Sequence, residues 1–398
     1  MPKEGALKGL RVLDLSRFIA GPFCGMQLGD LGADVVKVER KDKGEDTRPN
    51  EPQINGESLY ILVHNRNKRG LSIDYRHPGA VDVLKRLIAD SDVLIENFRP
   101  GTMEAMGLDW DTVHSINPRL IMVRISGFGQ DGPWARQPCF DVIAQAGSGL
   151  MNMTGQSDGP PTMAGTFIVD YSTGLYATIA TLAALEARHR TGKGQLVEAS
   201  LLDSAVSFLM TAIPEYVLFG KETSRQGTRD RYATPANNFQ CVDGVWVHIS
   251  AGNDGLFSRF AHAAGLENML SDPRFMPASV RMSNVDEVER IVAEWAANRS
   301  SADVLSILSD AEVPCAKIAT IADVVSNPQL RHRKQIVEVD HEAAGKVPMQ
   351  GPAIQLSETP TVVRRGAPSI GEHTDEILEE WGGYSRDDIA RLREAKIV

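Results

Sequence analysis

The stretch RVLDLSRFIAGPFCGMQLGDLGADVVKVER, residues 11–40, decides the fold. It opens on an apolar run, RVLDLS, passes through FCGMQLGDLGA, which has the length and character of a helix, and closes on a second apolar run, DVVKVER. That is one βαβ unit. The same rhythm continues to residue 126 through GLSIDY, PGAVDVLKRLIADS, DVLIENF, DTVHSINP and RLIMVRIS. Runs such as VLIENF and LIMVRIS suit strands covered on both faces. The expected fold class is therefore α/β, with an open parallel, Rossmann-like sheet, helices on either side and right-handed crossovers.

In such sheets ligands gather beyond the carboxyl ends of the strands. The residues there are polar and often basic: Ser16-Arg17, Glu39-Arg40, Asn97-Phe98-Arg99-Pro100-Gly101 and Ser126-Gly127-Phe128-Gly129. A phosphate-bearing ligand fits them. Glu39 ends the second strand where dinucleotide folds often keep a ribose-binding acid, but the first turn reads SRFIAGP and lacks the G-x-G-x-x-G pattern that lets backbone approach a pyrophosphate. The only Gly-Lys pair in a basic turn, Gly192-Lys193, precedes a strand and so makes no P-loop, and no G-x-S-x-G elbow is present.

The chain has 398 residues, 42% of them hydrophobic, enough for a substantial core and two domains. Its 42 basic and 52 acidic residues leave a net charge of -10, which disfavours nucleic acid or an anionic membrane as partner. No signal-like start or long uninterrupted apolar run stands out, so the expectation is a soluble, cytoplasmic protein. Cys24, Cys139, Cys241 and Cys315 are widely scattered and the histidines show no ligand spacing, so no metal is expected.

Downstream, a long apolar helix over about residues 175–190 leads through the basic turn RHRTGKG to QLVEAS and LLDSAVSFLMTAI. The polar stretch KETSRQGTRDRYATPANN then reads as a linker. NFQCVDGVWVHIS reads as a hairpin about Asp243-Gly244 within a smaller α+β domain. Near the end, Ser385 and Asp388 have the spacing of a capping box.

GTFIVDYSTG, residues 165–174, places one carboxylate, Asp170, between a mostly apolar run and the long helix. Taken alone, Asp170 is either a helix cap or a nucleophile held at the edge of a cleft.

Eight phrases in order resemble one family, the family III CoA-transferases, which includes formyl-CoA transferase, carnitine CoA-transferase and α-methylacyl-CoA racemase: RVLDLSRFIAGP, LGADVVKVER, NRNKRGLSID, ENFRPG, GFGQDGP, FIVDYSTGLYA, RTGKGQLVEASLLD and IGEHTDEIL. The resemblance implies an interlocked homodimer. It implies a large CoA-binding domain in residues 1–213, a linker 214–227, a small domain 228–326, and a segment 327–398 that returns to the large domain. It identifies Asp170 as the catalytic residue. It places Arg40, Asn97, Phe98 and Met106 at CoA, with Asn67, Lys68 and Arg69 close by. Coenzyme A would be a substrate, with no tightly bound cofactor.

The activity so implied is transfer of CoA from an acyl-CoA donor to a carboxylic acid, through mixed-anhydride and aspartyl-CoA thioester intermediates. A racemase and a non-catalytic CoA-binding protein are the alternatives. Racemase members carry His-Asp after GFGQDGP, where this chain has Phe140-Asp141, and phenylalanine accepts no proton. Phe140 and Asp141 are candidate substrate residues. Asp141 has the alternative reading of a hydrogen-bond acceptor at a loop end. The four-glycine run of formyl-CoA transferases is SAGNDG here, residues 250–255, and their first-loop glutamine falls at Ile19. Larger acids than formate are then expected, such as a dicarboxylate with succinyl-CoA as donor, and Arg17 as a clamp for the second carboxylate. For any single arginine the bland reading is a solvated ion pair.

Overall fold

The computed structural model describes residues 4–398, which form two compact units. Of the described residues, the first comprises 4–150, 164–213 and 328–398, and the second 151–163 and 214–327.

In chain order the first unit begins with β1 (Arg11–Asp14), α1 (Ala20–Asp30) and β2 (Asp34–Arg40). A short hairpin, β3 (Gln53–Ile54) and β4 (Glu57–Ser58), leads to α2 (Leu59–His64), β5 (Lys68–Ile73), α3 (Gly79–Ala89) and β6 (Val93–Glu96). Then come α4 (Thr102–Ala105), α5 (Trp110–Ile116), β7 (Ile121–Ser126), α6 (Asp141–Gly147), α8 (Ile168–Thr191), β8 (Leu196–Ser200) and α9 (Leu201–Val206), while α7 (Leu150–Met153) and α10 (Ala212–Phe219) begin in this unit and belong mostly to the second. Six strands form one sheet in the order β5-β2-β1-β6-β7-β8, with every pairing parallel. The chain grows outward from β1 to β5, then crosses to β6 on the other side of β1. That reversal opens a crevice beyond the ends of β1 and β6.

Both faces of the sheet are covered, which is why its strands read as continuous apolar runs. On one face Leu13, Val36, Leu71 and Leu94 pack with α3 and with Ile377, Leu378 and Trp381 from the carboxyl-terminal segment. On the other, Val12, Val35, Ile95 and Val123 pack with Leu28 of α1 and Val169, Ala177 and Ala184 of α8. Gly174 sits inside α8 because α1 passes there; a Cβ would come within 2.7 Å of the Ala20 carbonyl oxygen. Among the described residues α8 is the one helix long and apolar enough to cross a bilayer, and half of its apolar window is packed within the fold.

The last part of this unit is the hairpin β12 (Ile336–His341) and β13 (Gly345–Gln350), which packs on Ile61 and Leu62, followed by helices Thr374–Glu380 and Arg386–Glu394. Ser385 and Asp388 form the capping box that the spacing predicts. In the second unit β9 (Ala236–Gln240) and β10 (Trp246–Ser250) pair about the Asp243-Gly244 turn, and β11 (Cys315–Lys317) adds to β10. Helix α11 (Asp254–Ala264) and the segment Val285–Ala297 bury Phe257, Phe260, Val292 and Trp295 against these strands.

Two boundaries differ from the sequence reading. Residues 151–163 group with the second unit, where the Gly155 carbonyl accepts from the Gly227 N–H at 2.8 Å and Arg225 donates to the Asn152 carbonyl. The start of the expected linker is helical through Phe219, because IPEYVLF is too apolar for a linker.

Candidate active site

The crevice beyond β1 and β6 is stitched by its own loops. The Arg17 N–H donates to Asn97 Oδ1 at 2.7 Å, and Asn97 Nδ2 donates back to the Arg17 carbonyl at 2.6 Å. Phe18, next in the chain, takes φ +65°, a conformation that side chains other than glycine adopt at a cost. Its ring meets Phe140 edge-on at 5.5 Å. Between these loops lies a cleft of about 270 Å³, lined by Arg17, Asn97, Arg99, Cys139, Phe140 and Asp170 among others.

Asp170 occupies the first turn of α8. Its carboxylate makes no hydrogen bond or ion pair. Burial, and then the charge of Asp141, raise its pKa from 3.8 to about 7. The group keeps a solvent-facing edge. A carboxylate near neutrality with no cation holding it is a competent nucleophile.

The helix start is capped by another residue. Asp141 Oδ2 accepts from the backbone N–H groups of Val169 at 2.7 Å and Asp170 at 2.9 Å, while its Oδ1 accepts from Gln145 Nε2 at 2.5 Å. Asp141 therefore does the capping that sequence offered for Asp170, and it frees the Asp170 side chain for chemistry. Asp141 is also 1% exposed and does not line the cleft, which favours its reading as a hydrogen-bond acceptor over its candidacy as a substrate residue. Its neighbour Phe140 is 61% exposed and faces the cleft. The GSG turn at residues 147–149 does not line the cleft.

Two further groups set the surroundings of Asp170. Tyr171 Oη donates to His64 Nε2 at 3.0 Å, because the other ring nitrogen donates to the Tyr60 carbonyl; burial lowers the His64 pKa to about 4 and keeps it in that neutral form. Burial and the charges of Asp170 and Asp141 push the Cys139 thiol up to about 11, so it stays protonated beside the carboxylate.

A second, mostly apolar pocket of about 220 Å³ adjoins the first and shares Arg17 and Phe98 with it. Leu15, Val38, Tyr75 and Met106 line it, with Arg40 at its edge. Phe98 lies under the Arg17 guanidinium, 5.1 Å from its centroid. Of the residues that the resemblance assigns to CoA, the structure brings Arg40, Asn97, Phe98 and Met106 to these two pockets.

Asn67, Lys68 and Arg69 are not among them. Asn67 Nδ2 donates to Asp30 at 2.7 Å and to the Val362 carbonyl at 2.9 Å. Lys68 is fully buried, bonded to Asp14, Asn65 and the Pro22 carbonyl. Arg69 is held by Asp34, Glu376 and Glu380. Lys68 and Arg69 begin β5, where ENFRPG-type loop residues instead follow a strand's carboxyl end. Their charges bind the fold together and line neither pocket.

Sequence reasoning missed Phe18, Cys139 and Asp46, all at the cleft. Asp46 lay unmarked in the polar loop KDKGEDTR, whose course after β2 carries no periodic signal.

Residues 7–374 match the profile of CoA-transferase family III. The chain belongs to that family. It is 39% identical over 396 residues to the succinyl-CoA–L-malate CoA-transferase beta subunit of Chloroflexus aurantiacus, covering 98% of each chain. It is 37% identical to the succinyl-CoA:glutarate CoA-transferase of Mus musculus, covering 97% of this chain and 88% of that one. Among solved structures, a CAIB/BAIF family protein from Brucella suis superimposes with a TM-score of 0.85 at 34% identity, covering 95% of this chain and 100% of that one. The protein is thus a CoA-transferase on a mixed α/β fold with a parallel sheet, acting on CoA thioesters and carboxylic acids.

Proposed function

We propose that this CoA-transferase moves CoA from succinyl-CoA to a dicarboxylic acid, with Asp170 as nucleophile. One observation carries the reading: an unpaired carboxylate with a pKa raised to about 7 in a cleft that also holds arginine side chains. The activities of the malate and glutarate relatives support the substrate class.

The steps follow from carboxylate and thiol chemistry. An Asp170 oxygen attacks the thioester carbonyl of succinyl-CoA, the C–S bond breaks, and CoA thiolate leaves behind a mixed anhydride. The thiolate then attacks Asp170 Cγ, and breaking the C–O bond releases succinate and leaves an aspartyl-CoA thioester. An acceptor carboxylate attacks Cγ and expels the thiolate; the thiolate attacks the acyl carbon of the new anhydride and returns Asp170 as carboxylate. No net proton or ATP is consumed. The adjoining pockets divide the CoA thioester by polarity: the apolar one, with Met106, Phe98 and Arg40, suits the adenine end, and Asn97 and Phe140 flank the acyl end beside Asp170.

Arg17 is the clamp for the far carboxylate in this reading. The protein works as an interlocked homodimer, which accords with the exposed apolar residues Leu175, Tyr176 and Ile179 of α8 and Val217, Leu218 and Phe219 of α10. The test is a panel of mono- and dicarboxylic acids offered with succinyl-CoA and followed as new CoA esters. Dicarboxylates should be favoured, and Asp170→Ala should abolish exchange with all of them. Exchange that prefers monocarboxylates, or survives in Asp170→Ala, would overturn the proposal.

A further inference from the structure

We infer that Asp46 is a positioning residue for acyl selection, orienting Arg17 so that one edge of its guanidinium is kept free for the far carboxylate of both donor and acceptor. This rests on the reading of Arg17 as clamp. Asp46 bridges two arginines, with Oδ2 at 2.7 Å from Arg17 Nη1 and Oδ1 at 2.6 Å from Arg40 Nη2. Arg17 lines both pockets, Arg40 the apolar one and Asp46 the cleft, so the bridge runs along the boundary of the two.

Three other arginines show what the bridge leaves open. Arg48 on Glu39, Arg66 on Asp30 and Arg69 on Asp34 each hold a carboxylate through the Nε–Nη2 edge, at 2.6–3.2 Å. That side-on fork matches two carboxylate oxygens. In Arg17, Asp46 takes Nη1 instead, and the Nε–Nη2 edge has no partner. Nε is buried and unsatisfied, the only such atom among the described residues that line the cleft. An orphaned donor on a residue that lines the same cleft as the nucleophile is accounted for by a group that arrives with the substrate.

Asp46 can act as a fixed point because its loop is fastened from below. The buried Lys37 ammonium donates both to the carbonyl of Ser16, the residue before Arg17, and to the carboxylate of Glu45, the residue before Asp46. A single cation thus sets the spacing of the two residues that form the bridge. Glu45 also accepts from Thr47, and Arg48 grips Glu39 and the Pro368 carbonyl. Asp46 alone in that run turns its carboxylate toward the cleft.

In the proposed steps succinate leaves before the acceptor attacks, so succinyl-CoA and the acid acceptor present their second carboxylate to the same seat in turn. The test uses this. Succinyl-CoA and butyryl-CoA share the whole CoA portion and differ at the far end, so the ratio of their kcat/KM values cancels any effect of Arg40 on CoA. In Asp46→Asn the ratio is expected to fall about 10-fold or more, through KM more than kcat, since a charge-assisted contact is misplaced and not removed. Asp46→Glu, which keeps the charge but shifts it, should fall between Asn and wild type. Arg17→Ala should lower the ratio further. A ratio within about twofold of wild type in both Asp46 variants while Arg17→Ala collapses it would overturn the role of Asp46 alone. A ratio unmoved by Arg17→Ala would overturn the clamp itself.

Discussion

The chemistry of the site turns on which of two aspartates is free. Asp141 spends both its oxygens on hydrogen bonds, and Asp170, whose N–H it caps, is left with none. Because burial raises the Asp170 pKa above its unfolded value of 3.8 to about 7, two consequences follow with opposite signs. For activity, kcat/KM for succinyl-CoA should fall as pH drops below about 7, since only the carboxylate attacks. Asp141→Asn should move that inflection toward acid and destabilise the fold by about 1–3 kcal/mol, because amide cannot satisfy Gln145 and the helix start together. An inflection that stays in place would deny the charge coupling. For stability, the raised pKa means protonated Asp170 favours the folded state, so this contribution is full below pH 3.8 and lost as pH rises through about 7. Asp170→Asn should therefore melt higher than wild type at pH 8 and close to it at pH 4, by about 1–3 kcal/mol after allowance for its solvent-facing edge. Equal melting at both pH values would contradict the buried charge. From sequence alone Asp170 was visible as a lone carboxylate at a helix start, yet the capping partner was not, because Asp141 is 29 residues away and only the fold brings it there.

Among the elements, β1, β2, β6 and β7 were legible in the sequence because they are apolar on both faces, and the residues after β1 and β6 do form the crevice. β5 was read two residues late, from Gly70, since its first residues Lys68 and Arg69 look like loop cations. Periodicity cannot show that a lysine is buried against Asp14. Replacing Lys68 by methionine should cost about 3–5 kcal/mol, as it strands the Asp14 carboxylate without its cation. Urea unfolding measures this; unchanged stability together with a raised KM for acyl-CoA would instead put Lys68 at the ligand.

For the molecule as a whole, the division into two units could be anticipated in outline, but the assignment of residues 151–163 to the second unit is a matter of long-range pairing that local pattern does not carry. The exposed apolar side chains of α8 and α10 were equally hidden, since an apolar helix reads the same whether its cover is its own chain or another. Sedimentation should give twice the monomer mass, and Leu218→Asp, at a position 69% exposed, should shift it toward monomer or aggregate. A monomeric wild type would refute the dimer. The central claim, that Asp170 itself carries the transferred group, is met most directly by mass spectrometry of enzyme mixed with succinyl-CoA without acceptor and quenched in acid. The account predicts one CoA joined as a thioester, with loss of water, on the peptide that contains Asp170, and discharge of that adduct when a dicarboxylate is added before the quench. Turnover with no adduct at Asp170 would contradict it.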